Sequence, residues 1–69
     1  MKTKELVPII KEFNGEMCNL RLANGQLICG VVGEISNNDQ FCVCEVTIGN
    51  AINIDISIPL IEIDALCLA

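Results

Sequence analysis

The 69-residue sequence contains no histidine, tryptophan or tyrosine, and its aromatic side chains are two phenylalanines. Without histidine, the usual zinc sites and the common catalytic triads have no candidate residue. The sequence also has no serine-centred nucleophile elbow, no glycine-rich phosphate loop and no group of acidic residues at metal-ligand spacing. We therefore expect a protein that is not an enzyme and that carries no cofactor and no metal.

Basic residues are few and unevenly placed. Residues 1–21 hold all four of them beside three acidic residues, whereas residues 22–69 hold six acidic residues and no basic one. The net charge of −5 disfavours a general phosphate-binding protein, because nonspecific affinity for nucleic acid depends on lysine and arginine. Either the amino-terminal segment forms a mildly basic face, or these charges simply keep the protein soluble.

Long apolar runs are missing as well, because charged residues interrupt each hydrophobic stretch before it reaches the length of a membrane span. The amino terminus carries lysines but no continuous hydrophobic segment and no cleavage signal, so we expect no secretory peptide. These features favour a soluble, cytoplasmic protein with no membrane partner.

Five cysteines are present, and none belongs to a Cys-x-x-Cys pair. All of them stand in strand-like runs, where a free thiol behaves as a small hydrophobic side chain, so we expect core thiols in a reducing compartment. Cys42 and Cys44 point to the same face of a strand, but two ligands alone make a weak site for a soft metal.

Hydrophobic residues make up 52% of a chain that is long enough for one small domain. This is more apolar side chain than so small a core can bury, and exposed apolar patches usually mark contacts with partners. We therefore expect a homo-oligomer, with a dense core and a few exposed aliphatic residues as the alternative.

Residues 3–13 favour a short helix, and Thr3 can cap its start. Its apolar stripe consists of Leu6, Ile9, Ile10 and Phe13. Pro8 predicts that the helix either begins late, near residue 7, or bends there. The Asn-Gly pair at residues 14–15 is suited to end it.

Five strands are predicted after the helix, at residues 16–22, 26–35, 40–48, 51–58 and 62–68. Asn-Gly at 24–25 and Gly-Asn at 49–50 are typical of hairpin turns, and Gly30 and Gly33 indicate a sharp bend or close backbone approach in the long second strand. A strand so long and bent can belong to two sheets. We predict one mainly β domain over residues 1–69, in which the helix precedes a five-stranded, strongly bent SH3-like small barrel over residues 16–68.

Three segments carry a resemblance to the Sm-like (LSm) family, in particular to its bacterial and phage members. They are Phe-Asn-Gly at 13–15, the hairpin Leu-Arg-Leu-Ala-Asn-Gly-Gln-Leu-Ile-Cys-Gly at 20–30, and Ile-Pro-Leu-Ile-Glu-Ile at 58–63. The resemblance covers nearly the whole chain. It implies a closed ring in which the fourth strand of one subunit pairs with the fifth strand of its neighbour. The interface residues implied in this way are Ile52, Ile54, Ile56, Ile61, Ile63 and Leu66.

The same resemblance implies single-stranded RNA as a partner, bound through an Asp-x-aromatic-x-Asn loop and a later Arg-Gly pair. Asp39 and Phe41 match the first two loop positions, but Val43 stands where the asparagine belongs. The Arg-Gly pair is absent around residues 57–60, and the loop before Asp39 is longer than the family pattern. RNA binding through this pocket, or through a basic face formed by Lys4, Lys11 and Arg21, is therefore the less favoured expectation.

Three hypotheses follow from the sequence. The first is a homo-oligomeric ring that serves as a scaffold or protein-interaction platform. The second is a ring that binds RNA through a divergent surface. The third is a monomeric or dimeric SH3-like adaptor.

Overall fold

The computed structural model describes residues 3–49 and 52–69, and its fold is mainly β. Helix α1 (Thr3–Glu12) precedes five strands, which are β1 (Met17–Leu22), β2 (Leu27–Ile35), β3 (Phe41–Ile48), β4 (Ile52–Pro59) and β5 (Ile63–Leu68). A short 3-10 helix, Leu60–Glu62, joins β4 to β5. These bounds confirm the predicted helix and the five predicted strands. The 3-10 helix was not expected.

Helix α1 begins at Thr3 and continues through Pro8, so the expectation of a late start near residue 7 is wrong. Proline removes one helical hydrogen bond, but Leu6 and Ile10 on either side of it are buried and hold the helix against the sheet. Gly15 has a φ of +86° and follows the end of the helix, as the Asn-Gly pair predicted.

The five strands form one antiparallel sheet in the order β4-β3-β2-β1-β5. The first part of β2 pairs with β1 and its second part pairs with β3, so the long strand joins the two halves of the sheet. The sheet is bent and unclosed, with β4 and β5 as its two edges. It is consistent with a small barrel-like fold that a single chain does not close.

The hairpin between β1 and β2 turns at the predicted Asn-Gly pair. Gly25 has a φ of +89°, and its amide donates a hydrogen bond of 2.9 Å to the carbonyl oxygen of Leu22. In the hairpin between β3 and β4, Gly49 has a φ of +65°, which suits a turn. Asn50, the other residue of that predicted turn, lies outside the described residues.

The core lies between α1 and the concave face of the sheet. It consists of Leu6, Ile10, Cys18, Leu20, Val32, Cys42, Cys44, Ile58, Leu60 and Ile63. Three of the five cysteines are therefore core thiols, as predicted. The prediction is wrong for Cys29 and Cys67, which are exposed because they lie on the outer face of their strands.

A bulge at Asp64 changes which side chains of β5 point toward the core. Leu22 pairs with Ile63 and Arg21 pairs with Ala65, so one residue of β5 is left between the two pairs. Strict alternation along β5 would place Ala65 on the same face as Ile63. Because of the bulge, it is Leu66 that faces the core, opposite Leu20.

Candidate functional site

A groove of about 530 Å³ lies between three segments of the described residues. These are the first turns of α1, the turn that joins β2 to β3, and the junction of β4 with the 3-10 helix. The side chains that line the groove include those of Lys4, Val7, Asp39, Phe41, Leu60 and Ile61. Three of them are residues that the sequence analysis assigned to RNA binding, and the fold brings these three together.

The turn between β2 and β3 is held by the hydroxyl of Ser36. The Ser36 Oγ accepts hydrogen bonds from the backbone amides of Gln40 and Phe41, at 3.2 and 3.1 Å. Asp39 adopts a φ of +58°, a left-handed conformation that aspartate tolerates better than most residues. The amide of Leu60 donates a 2.9 Å hydrogen bond to the carbonyl of Gln40, so the turn and the 3-10 helix are fixed to each other.

Phe41 begins β3 beside the groove. It pairs with Pro59, and 41% of its surface is exposed. An aromatic ring with this exposure can stack on a planar base or pack against an apolar side chain. Its chemistry therefore does not distinguish an RNA ligand from a protein ligand.

The charges that the described residues bring to the groove are balanced. Lys4 and Asp39 are both exposed and lie along its walls, and the rest of the wall includes the apolar residues Val7, Leu60 and Ile61. Ile61 is 80% exposed. Among the residues that the structure describes, the groove has one cation, one anion and several aliphatic side chains. Such a lining suits an apolar segment with few charges better than it suits a polyphosphate backbone.

The other two basic residues predicted to contact RNA lie elsewhere. Lys11 lines another depression beside the β2–β3 turn, of about 310 Å³, which it shares with Asp39. Arg21 lies on the outer face of β1, where its guanidinium forms an exposed ion pair with Asp64 at 2.9 Å. Arg21 does not line the groove, so the predicted basic face does not include it.

The predicted interface residues fall into three groups. Ile52 and Ile61 are 63% and 80% exposed, and Ile54 is also exposed. Ile56 and Leu66 are half-buried and pack against the core. Ile63 alone is buried.

Ile63 is 1% exposed and belongs to the chain's own core, so its side chain is not available to a neighbouring subunit. The correction has a structural cause, since Ile63 precedes the Asp64 bulge and faces inward beside Leu22. Leu27 and Leu68 are exposed apolar residues that the sequence analysis did not single out. Both lie at a strand end, Leu27 at the start of β2 and Leu68 at the end of β5.

The buried thiols are poor candidates for metal or redox chemistry. Burial, with a smaller effect of Cys44, raises the pKa of Cys42 to about 11. Burial also raises the pKa of Cys18 and of Cys44. Because the thiolate is the reactive and ligating form, these three side chains remain protonated, inert core thiols at neutral pH.

Within residues 3–49 and 52–69, no three His, Cys, Asp or Glu side chains are grouped closely enough to hold a metal ion. In the same residues, no helix has the length and apolar character needed to cross a membrane.

The comparisons with known proteins found no match: no family model, no curated protein and no solved structure resembles the chain closely enough to be counted.

Proposed function

We propose that this protein is a self-assembling, non-enzymatic module of the Sm-like type, in which copies of the chain pair through their edge strands and form a scaffold or protein-interaction platform. The observation that supports the proposal is the position of β4 and β5 at opposite edges of one bent sheet. A head-to-tail contact between two different edges closes into a ring when the rotation between subunits is suitable.

The apolar residues near these edges agree with such a contact. Ile52 and Ile54 on β4 and Leu68 on β5 are exposed in the single chain. Each contributes about 1 to 2 kcal/mol when a neighbour covers it. Pairing of β4 with a neighbour's β5 also supplies hydrogen-bond partners to two edges that otherwise invite aggregation.

The groove is the proposed platform surface. Its aliphatic wall and balanced charges favour an apolar segment of a partner protein. The groove includes Ile61, next to the start of β5. In a ring of identical subunits, the groove would occur once in each subunit.

Light scattering coupled to size-exclusion chromatography tests the assembly. We expect a mass that is a multiple of 7.5 kDa. Ile52→Asp introduces a carboxylate where the proposed contact is apolar, so the mass of this variant falls to that of one chain. Asn53→Asp is the matched control, since it adds the same charge on the opposite face and keeps the oxygen that accepts a hydrogen bond from Thr47.

A wild-type mass of 7.5 kDa at high concentration would refute the ring and favour the SH3-like adaptor. An Ile52→Asp variant that keeps the wild-type mass would place the contact elsewhere. Circular dichroism shows whether each variant remains folded.

RNA binding is the second candidate, because Lys4, Asp39 and Phe41 meet in the groove. Titration with short U-rich and A-rich RNA at two salt concentrations tests it. If RNA binds there, Phe41→Ala and Lys4→Glu weaken binding and Lys4→Glu also lowers the salt dependence, whereas Arg21→Ala has little effect. Absence of salt-sensitive binding by the wild type rejects this candidate.

A further inference from the structure

The turn that joins β1 to β2 has no part in the proposed function. Its residues 23–26 are all exposed, and Asn24 is followed by Gly25. An asparagine side chain before glycine is chemically labile, because glycine has no Cβ atom to hinder attack by its own backbone nitrogen. Among the described residues beyond its chain neighbours, no atom lies within 4 Å of the position that a Cβ atom on Gly25 would take. The space around this nitrogen is therefore open.

A hydrogen bond to the Asn24 side chain makes its carbonyl carbon easier to attack. The backbone amide of Gln26 donates to Asn24 Oδ1 at 2.9 Å. When a nitrogen attacks the side-chain carbonyl, negative charge develops on Oδ1. A backbone N–H group that already points at this oxygen stabilises that charge, as the donors of an oxyanion hole do. The turn thus holds both the nucleophile and the group that stabilises the transition state.

Asn14 also precedes a glycine and is exposed, but the sheet holds its nucleophile. The amide of Gly15 donates a 2.8 Å hydrogen bond to the carbonyl of Val32, a buried core residue. Freeing that nitrogen means detaching the segment from a core strand. The amide of Gly25 instead donates to Leu22 within the exposed turn, which can open without disturbing the sheet.

Asn38 has the amide donor without the glycine. Its Oδ1 accepts a hydrogen bond from the backbone amide of Gln40 at 3.2 Å. The next residue is Asp39, whose Cβ atom hinders attack by the backbone nitrogen. Asn24 therefore combines two features that Asn14 and Asn38 have separately.

We propose that Asn24 is a site of spontaneous deamidation and that the Gln26 amide stabilises the oxyanion of this reaction. The Gly25 nitrogen loses its proton to hydroxide and attacks Asn24 Cγ. A nitrogen–carbon bond forms, the Cγ–Nδ2 bond breaks, and Nδ2 takes a proton from water and leaves as ammonia. Water then opens the resulting cyclic imide at either carbonyl and gives aspartate or isoaspartate. No oxidation or reduction is involved.

The reaction changes both the charge and the length of the turn. Each product has a carboxylate in place of a neutral amide, and isoaspartate adds one methylene group to the main chain. The amide of Ala23 donates a 2.7 Å hydrogen bond to the carbonyl of Glu62, which fixes the turn to the 3-10 helix. A longer main chain at the next residue loosens this contact.

Incubation of the full chain in mildly alkaline buffer tests the site, with peptide mass spectrometry and labelling by an isoaspartyl methyltransferase as readouts. In the folded protein we expect deamidation at Asn24 to be several-fold faster than at Asn14 or Asn38. In urea the rates at Asn24 and Asn14 become similar, because both then precede a glycine in a flexible chain. Folding slows Asn14 several-fold but leaves Asn24 close to its rate in urea, since the Gln26 amide offsets the cost of opening the turn.

Replacement of Gln26 separates its amide from its side chain. Gln26→Pro removes the N–H group and slows deamidation at Asn24 several-fold in the folded chain. Gln26→Ala is the matched control, since it keeps the N–H group and the wild-type rate. Circular dichroism shows whether each variant is folded, and the comparison of folded wild type with urea depends on neither.

A rate at Asn14 that equals or exceeds the rate at Asn24 in the folded protein would overturn the site. The role of the Gln26 amide would be overturned by a wild-type rate in folded Gln26→Pro. It would also be overturned if folding slowed Asn24 in the wild type as much as it slows Asn14.

Discussion

Gly30 lies where β2 approaches β3 most closely. A Cβ atom at this position would be 2.5 Å from the carbonyl oxygen of Glu45 and 2.8 Å from the Sγ atom of Cys44. At Gly33 the nearest atom is the carbonyl oxygen of Val43, at 3.1 Å. The two glycines inside β2 predicted a close backbone approach, and that prediction is confirmed at both positions.

Gly30→Ala is expected to lower the free energy of unfolding by about 1 to 3 kcal/mol, the usual cost of forcing extra atoms into a packed site. The obstacle is backbone, which cannot turn away as a flexible side chain can. Urea unfolding followed by circular dichroism measures the change. Gly33→Ala is the matched control, and its free energy of unfolding should fall by less than that of Gly30→Ala. An equal or larger fall would contradict the difference in contact distances.

At the scale of an element, α1 shows how packing outweighs local preference. Pro8 is exposed in the middle of the helix, and it leaves the carbonyl of Lys4 without its usual intrahelical donor. Leu6 and Ile10 are almost completely buried on the opposite stripe. The helix therefore forms through its contact with the sheet, and Pro8, which would otherwise break it, faces solvent.

Pro8→Ala is expected to raise the free energy of unfolding, by about 1 to 3 kcal/mol, because alanine restores a helical hydrogen bond at an exposed site. The greater flexibility of the unfolded alanine chain reduces the gain. Urea unfolding again gives the measurement. Lys11→Ala, at another exposed helical position, should change stability by less than about 0.5 kcal/mol. A destabilised Pro8→Ala would mean that proline fits this helix better than its missing amide suggests.

At the scale of the whole molecule, the core contains three protonated thiols. They make the free energy of unfolding depend on pH in the alkaline range. The pKa of Cys42 is raised from 9.0 to about 11 by burial. Below pH 9 the thiol is protonated in both states, and its contribution to stability is fully present. Between pH 9 and 11 the unfolded chain loses the proton while the folded chain retains it, so the unfolded state becomes more favoured.

We therefore expect the free energy of unfolding to fall as the pH rises from 9 to 11, with about 2 kcal/mol of the loss due to Cys42. Urea unfolding at several pH values measures the slope. Cys42→Ala removes the titrating group and makes the slope shallower, whatever it does to stability at neutral pH. An unchanged slope in Cys42→Ala would show that other groups control the alkaline transition.

Most of the secondary structure could be predicted from local signals. Alternating side chains identified the strands, and Asn-Gly pairs identified the end of α1 and the first hairpin. The candidate groove could be predicted in part: Lys4, Asp39 and Phe41 were singled out, but Val7 and Leu60 had no signal that connected them to Phe41. Their proximity depends on α1 and the 3-10 helix meeting the β2–β3 turn, which are contacts between distant parts of the sequence.

The sequence by itself determined where the chain is helical, where it is extended and where it turns, because these choices depend on residues a few positions apart. Tertiary structure decided which side chains each strand presents to solvent. The Asp64 bulge reverses the facing of β5, and strand register exposes Cys29 and Cys67 on either side of Asn19. Register and bulges are set by pairing between strands that are far apart in the chain. The alternation of residues within one strand therefore does not reveal them.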